Sequence, residues 1–428
     1  MGTKLQPYKI YHPIAYDYAK ALPDGWQLLP NIAIFHERKE RGTKDEEILS
    51  ISAIRGIVKS SDYENRKDRT SDDKSQYLLV EKDDLAYNTM LMWDGAVGHS
   101  SFRGIVSPAY TVLKARIKIN PRFFHYQMRT EFYKNYSKRY SYGIVDARLR
   151  LYYVHFKRMY SIVPPLEVQN RIVAYLDKKN NVIDKFIRNK ERLINLLNEQ
   201  KRVVINNCIT LGINLNAPMT EIGLEWFNKM PSHWNIRKWK YVLNIRNGQF
   251  DPKKFPNHIL LAPNHIESGT GEIIYKETAF EQGAESGKYM VKEGDIVYSK
   301  IRPELNKVCI AEDNGLCSAD MYAIHSRNGY NQEFLKYLFL SESFNKAMVE
   351  RSMRVAMPKV NRDDVKNFQS AFPDENEQQQ IITFIKKDTN KINQAISKAR
   401  QEITSIKEYR ESIITAAVTG QINLSDPN

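Results

Sequence analysis

The feature that most constrains this chain is that it repeats itself. Slid by about 209 residues, Gln169-Asn170-Arg171-Ile172-Val173-Ala174-Tyr175-Leu176 falls on Gln378-Gln379-Gln380-Ile381-Ile382-Thr383-Phe384-Ile385. The register holds without a gap to Ile213-Asn214-Leu215, which meets Ile422-Asn423-Leu424. Weaker echoes precede each copy in the same order. Leu22-Pro23-Asp24-Gly25-Trp26 answers Met230-Pro231-Ser232-His233-Trp234, VEKDDLAY at Val80 to Tyr87 answers VKEGDIVY at Val291 to Tyr298, and Gly104-Ile105-Val106-Ser107 answers Gly315-Leu316-Cys317-Ser318. A chain of 428 residues organised this way reads as globule, long helix, globule, long helix.

Each repeated segment opens as a helix should. Pro164-Pro165-Leu166-Glu167 and Pro373-Asp374-Glu375 place proline and acid at the positive end of the macrodipole, and Gly212 and Gly420 stand where the helices should stop. Between these marks runs a heptad. Its apolar seam is Leu176, Ile183, Ile187, Ile194, Leu197 and Val204 in the first copy, and Ile385, Ile392, Ile396, Ile403, Ile406 and Ile413 in the second. Polar residues interrupt it at matching points, Asn180 with Thr389 and Lys201 with Arg410. A seven-residue repeat this sustained predicts that the two helices pair as a coiled coil, with the polar positions fixing register. About 45 residues at 1.5 Å each make a rod of roughly 65 Å, long enough to serve as a spacer.

The expected organisation is an N-terminal extension over 1–21, a globule over 22–163, a helix over 164–214, a linker and second globule over 215–372, and a helix with tail over 373–428. Strands are expected at Leu28 to Phe35, Ile48 to Ile54, Leu85 to Met90 and Ala109 to Leu113. In the second globule they are expected at Ile259 to Leu261, Ile296 to Tyr298 and Met321 to Ile324. The fold class is therefore α+β, two mixed globules in tandem.

Formal net charge is +14, which favours a polyanionic partner. The surplus is concentrated. From Arg103 to Arg158 there are 13 Lys and Arg against Glu131 and Asp146, with Tyr133, Tyr136, Tyr140, Tyr142, Tyr152 and Tyr153 interleaved. The second globule carries Arg351-Ser352-Met353-Arg354-Val355-Ala356-Met357-Pro358-Lys359-Val360-Asn361-Arg362 at the corresponding place. Lysine and arginine on phosphates supply affinity, and arginine and polar groups at base edges supply choice.

Several chemistries lack their residues. No Asp/Asn/Ser-Pro-Pro-aromatic tetrad of amino-methyltransferases occurs, Gly269-Thr270-Gly271-Glu272 lacks the lysine of a phosphate loop, and the nine histidines form no metal spacing. Three cysteines, Cys208, Cys309 and Cys317, form no C-x-x-C pair. With no apolar leader and no run long enough for a membrane span, the expectation is a cytoplasmic, non-catalytic protein without a bound metal.

Two globules, each followed by a heptad helix opening Pro…Gln-x-x-Ile, resemble the specificity subunits of type I restriction-modification systems. The resemblance rests on Ile162-Val163-Pro164-Pro165-Leu166-Glu167-Val168-Gln169-Asn170-Arg171-Ile172, on Ala371-Phe372-Pro373 through Ile381, and on Pro231-x-x-Trp234. In the first globule Tyr87-Asn88-Thr89-Met90, Trp93-Asp94-Gly95-Ala96, Ser107-Pro108-Ala109-Tyr110 and Asp146-Ala147-Arg148-Leu149-Arg150-Leu151 look like one class of target-recognition domain.

The resemblance implies that each globule reads one half of a split, asymmetric site in double-stranded DNA. It implies an antiparallel helix pair that sets the spacer and docks two modification subunits carrying S-adenosylmethionine, with two restriction subunits adding ATP, Mg and cleavage. The implied DNA contacts are Asn88, Trp93, Ser107, Tyr110, Arg148 and Arg150, then Lys300, Arg302, Asn306, Ser318, Arg354, Lys359 and Asn361. The alternatives are a cryptic nuclease or methyltransferase, and a coiled-coil regulator whose basic face binds an acidic protein. Neither needs two unlike globules of equal size on one spacer.

Overall fold

In the computed structural model the described residues are 6–16, 19–43, 45–52, 56–62, 74–143, 149–214, 216–224, 226–327, 329–353 and 358–424. They form two units: Met1–Asn189 joined by Glu402–Asn428, and Lys190–Gln401. The long helices are Leu166–Leu211 and Glu375–Val418. Each is covalently continuous across the boundary between units, so each unit is built partly from both.

The first unit opens with the antiparallel hairpin Tyr11–Tyr16 and Ala19–Pro23. Strand Gln27–Pro30 then pairs with Tyr160–Val163, which delivers the chain to the long helix. Its main sheet has the order Phe35–Arg38, Tyr110–Ala115, Leu85–Asn88, Val97–His99, antiparallel throughout. The expected strand from Leu28 to Phe35 is broken by one helical turn, Asn31–Ile34. The physical reason is Asn31, which is fully buried and donates its side-chain amide to the Tyr133 hydroxyl at 3.0 Å and the Phe156 carbonyl at 3.1 Å. A polar side chain with buried partners waiting outweighs strand propensity.

Aromatic rings fill the core behind the sheet: Phe35 meets Phe124 edge-on at 5.2 Å, and Tyr87 meets Phe156 at 5.2 Å. The same core takes in Ile172, Val173 and Leu176 from the start of the first long helix, and Ile413, Ile414, Ala417 and Val418 from the end of the second. The start of one helix thus lies beside the end of the other, which is the antiparallel sense.

The second unit repeats the plan. Hairpin Met219–Leu224 and Phe227–Pro231 leads to strand Asn235–Lys238 paired with Gln369–Phe372. The main sheet has the order Leu243–Ile245, Met321–Ser326, Ile296–Ser299, Val308–Ile310. A departure follows: Ile259–Leu261 runs parallel to Gly315–Cys317 in a three-stranded sheet closed by Tyr289–Val291. Here the end of the first long helix (Ile205, Cys208, Ile209) and the start of the second (Ile381, Ile382, Ile385) share a core with Trp239 and Phe344, whose rings stack at 4.7 Å.

The helix ends explain the Pro-x-x-Trp motif. Gly212 and Gly420 both adopt positive φ, 76° and 74°. A Cβ on Gly212 would stand 3.4 Å from the Trp234 ring, and one on Gly420 would stand 2.6 Å from Pro23. Each helix therefore stops where its glycine lies against the proline and tryptophan that open a globule.

Of the heptad seam, Leu176, Ile183, Ile385, Ile392, Ile396 and Ile413 are buried. Ile187, Ile194, Leu197, Val204, Ile403 and Ile406 are half-buried, while Val182, Leu196 and Val203 on another face are exposed. The polar seam positions find partners within their own units. Arg410 pairs with Asp184, Lys201 with Glu272 at 3.0 Å, and Asn180 donates to the Tyr126 hydroxyl at 3.2 Å. Among the described residues no helix is long and apolar enough to cross a membrane.

Candidate nucleic-acid interface

Two ion pairs, each on a buried aspartate, hold the sheets in place. Arg38 donates from Nε to Asp84 at 2.7 Å and from Nη2 at 3.2 Å, and Arg246 does the same to Asp295 at 2.5 and 2.8 Å. Each aspartate also accepts the backbone N–H three residues before it, from Glu81 and Lys292. The sequence echo VEKDDLAY/VKEGDIVY contains the two aspartates, but nothing local in sequence names their arginines.

On this frame the first globule carries an open cleft of about 840 Å³. Lys39, Arg116, Arg150 and Lys157 line it with Tyr110, Tyr152 and Tyr153, against Glu37 as the lining acid. The main chains of Tyr142 and Arg150 exchange two hydrogen bonds of 3.0 and 2.9 Å, which fixes where Arg150 emerges, and its guanidinium donates to the Tyr152 hydroxyl at 3.3 Å. Tyr142 in turn lies over His155 with ring centroids 4.1 Å apart. Arg116 and Tyr153 both donate to the Phe35 carbonyl, each at 3.1 Å. At the cleft wall His36 has its pKa lowered, first by burial and then by Arg116, Lys114 and Arg38. Both causes favour the neutral imidazole over the charged one.

The structure divides the basic run into two populations. Arg103 pairs with Glu46 and Glu81, Arg122 with Asp177, and Lys134 with Glu131. These carboxylates mostly come from outside the run, so its apparent lack of acids is a property of the sequence window. Arg150 and Lys157 have no carboxylate partner among the described residues. Arg116, which lines the same cleft, has none among the described residues either.

Tyr110 and Arg150 are thus brought together in the cleft. Asn88 is buried, and its Oδ1 accepts the Met90 N–H at 2.9 Å, closing the turn after its strand. Trp93 is half-buried, donates to the Met90 carbonyl at 2.9 Å and carries Lys138 over its ring at 5.4 Å. Ser107 accepts the Ala109 N–H and Ser318 the Asp320 N–H, matched turns leading into Tyr110–Ala115 and Met321–Ser326. Arg148 and Arg354 lie outside the described residues.

In the second globule the corresponding strand carries Tyr322, with Lys300 and Arg362 each 5.5 Å from its ring centroid. Arg362 also lies 5.7 Å from the Tyr289 ring and donates to the Arg246 carbonyl at 3.0 Å. The Val360 N–H donates to the Lys300 carbonyl at 2.8 Å, as Leu151 does to Thr89 at 2.8 Å. Arg150 and exposed Lys359 therefore stand at matched positions, one residue before these bonds. Arg302 is exposed at φ 48° and Asn306 buried at φ 43°, flanking the turn Pro303–Leu305. Asn361 is exposed, and its N–H donates to Asp364 at 2.9 Å to start Arg362–Lys366. Arg362 closes the basic run read from the sequence. Lys39 and Tyr289 were not among the expected contacts; they come from segments distant in sequence, which local pattern does not join.

No group of His, Cys, Asp and Glu among the described residues is arranged to hold a metal. Burial holds the thiols of Cys309 and Cys317 in the protonated form, each pKa pushed up to about 12.

Residues 231–405 match the family described as type I restriction modification DNA specificity domain. The type I restriction enzyme EcoDI specificity subunit of Escherichia coli is 32% identical over 193 residues, 45% of this chain and 43% of that one. The chain thus matches less than half the length of that relative. The MjaVIII specificity subunit of Methanocaldococcus jannaschii is 25% identical over 371 residues, 82% of both chains. A solved chain from work entitled "Structural basis underlying complex assembly and conformational transition of the type I R-M system" superposes with a TM-score of 0.63. It is 14% identical, covers 94% of this chain and 99% of its own, and shares the fold.

Proposed function

We propose that this chain, a member of the family of type I restriction-modification specificity subunits, reads an asymmetric DNA site in two halves, one per globule. It contributes recognition and no catalysis. The observation that carries the two-half reading is that the frame is copied while the surface is not. The Arg–Asp pairs, the matched turns and the bonds from Leu151 to Thr89 and from Val360 to Lys300 recur, whereas exposed Arg150 and Tyr152 give way to exposed Lys359 and Asn361. Equal scaffolds with unequal cation and ring patterns suit two different base sequences.

The two long helices act as the spacer between half-sites and as the dock for two modification subunits. Double-stranded DNA is the ligand. S-adenosylmethionine belongs on the modification partners, and ATP with Mg²⁺ on restriction partners where these join. Co-expression with the cognate modification subunit, followed by single-molecule mapping of methylated adenines, tests the reading. The expected outcome is one bipartite, non-palindromic motif; a continuous or palindromic motif overturns it.

A further inference from the structure

Gly269-Thr270-Gly271-Glu272 lacks the lysine that follows a phosphate loop in sequence, but the fold brings lysines to it from elsewhere. In the second unit a cavity of about 520 Å³ is lined by Thr270, Gly271 and Glu272 together with Lys201, Lys336, Lys386 and Lys387. Lys201 comes from the first long helix, Lys386 and Lys387 from the second, and Lys336 from helix Gln332–Leu340. Such a volume is enough for a small molecule.

The charges at this cavity do not balance. Lys201 is 8% exposed and donates to Glu272 at 3.0 Å. Lys386 pairs with Glu333 at 2.6 Å, and Lys336 reaches the same carboxylate only at 3.7 Å while lying over the Tyr337 ring at 4.5 Å. Lys387 has no carboxylate partner among the described residues. Three ammonium groups thus share two carboxylates, and the fourth has none among the described residues. Holding Lys201 and Lys336, whose side chains are largely buried, out of water costs free energy that apolar residues at these sites would not. Lys201 sits at a seam position of the heptad, where an aliphatic side chain would be cheaper still.

The loop adds donors. Gly269 and Gly271 both adopt positive φ, 69° and 81°, and among the described residues the amides of Thr270 and Gly271 have no acceptor. Backbone N–H groups on a glycine turn beside lysines form a concavity suited to phosphate oxygens.

We propose that this cavity binds the phosphate chain of a free nucleotide, a nucleoside di- or triphosphate, with Lys336 and Lys387 as the principal ligands. The cavity shares no lining residue with the cleft assigned to DNA.

The test uses the full chain and two probes, inorganic pyrophosphate and ATP, in isothermal titration. Both should saturate one shared site. Lys387→Ala, at an exposed position, and Lys336→Met should each weaken binding by about tenfold or more, since a hydrogen bond to a charged group is worth that much. Burial first, and then Lys386 and Lys201, lower the pKa of Lys336 against Glu333 and Cys309, so an arriving anion favours its charged form. The absence of saturable heat with either probe, or parental affinity in both variants, overturns the proposal. Displacement of pyrophosphate by duplex DNA, with the same lysine dependence, assigns the lysines to the DNA backbone and overturns it as well.

Discussion

Gln169 and Gln378, about 209 residues apart in sequence, are each 1% exposed and share two side-chain amide bonds, to which Gln378 adds a third to the Gly329 carbonyl. Gln169 accepts the Asn120 N–H at 2.8 Å and donates to the Pro164 carbonyl at 2.7 Å; Gln378 accepts the Asn331 N–H at 2.8 Å and donates to the Pro373 carbonyl at 3.0 Å. The two asparagines are themselves caps, accepting from Arg122 and from Glu333. Each glutamine therefore ties the start of a long helix to the start of a short one in its globule. Replacing Gln378 by Ala leaves a donor and an acceptor unpaired. We expect a loss of about 2–4 kcal/mol in the second unit, read as an earlier transition in urea with the other unit's transition unmoved. Gln169→Ala should reverse the pattern.

The Arg38–Asp84 pair should behave as a unit. Asp84→Asn leaves a buried guanidinium with only the exposed carboxylate of Glu40 and should cost about 2–4 kcal/mol, while Arg38→Met combined with Asp84→Leu should cost clearly less. Thermal unfolding of the singles and the double checks this; additive losses would show that the pair is not coupled.

Arg150→Ala should weaken binding at one half-site only, by about 1–3 kcal/mol, and Lys359→Ala at the other. Arg122→Ala, which removes a cation already held by Asp177, should leave both half-sites near parental. Binding to oligonucleotides mutated in one half at a time separates the cases, and an equal effect on both halves defeats independent reading.

Acid should destabilise the first unit through His125. Its pKa is held well below the usual value by burial and by Arg129, His99 and Arg122. The unfolded chain therefore binds a proton first. Stability is full above about pH 6.5 and falls as pH drops below it, approaching about 1.4 kcal/mol per pH unit until the folded group titrates. His125→Gln should flatten that slope in urea titrations between about pH 6.5 and 5.

Spacer length should follow helix length only when both helices change together. Matched insertions of four residues, between Asn189 and Lys190 and between Gln401 and Glu402, add about 6 Å to each helix where it passes between units. Against roughly 34 Å per ten base pairs, the methylated motif should gain one or two unspecified positions. A motif of unchanged spacing with full activity would mean that the helices join the globules without measuring DNA.

Much of this was legible because it is periodic or repeated. The helices expected over 164–214 and 373–428 are Leu166–Leu211 and Glu375–Val418, and the strand expected at Ile259 to Leu261 is found there. The strand expected to reach Met90 ends at Asn88, whose side chain closes the turn. What local pattern could not give is pairing at a distance. Arg38 finds Asp84 and Trp239 finds Ser370 through the folded chain, and an arginine in a basic run looks the same whether it faces solvent or, like Arg103, two glutamates. The hairpin Tyr11–Tyr16 and Ala19–Pro23 has its counterpart at Met219–Leu224 and Phe227–Pro231, a correspondence of backbone with almost no residue identity.

The core of the first unit is completed by Ile413, Ile414, Ala417 and Val418, and the Asn423 N–H donates to the Gln6 carbonyl at 2.6 Å. On the ribosome these partners are separated by nearly the whole chain. Leu176 is made more than two hundred residues before Ile413, a wait of roughly 10–50 s at ordinary rates of synthesis. The second unit, Lys190–Gln401, is continuous in sequence and needs nothing made later. The half translated second should therefore be finished first, while the nascent first half keeps an apolar face uncovered until the last helix emerges.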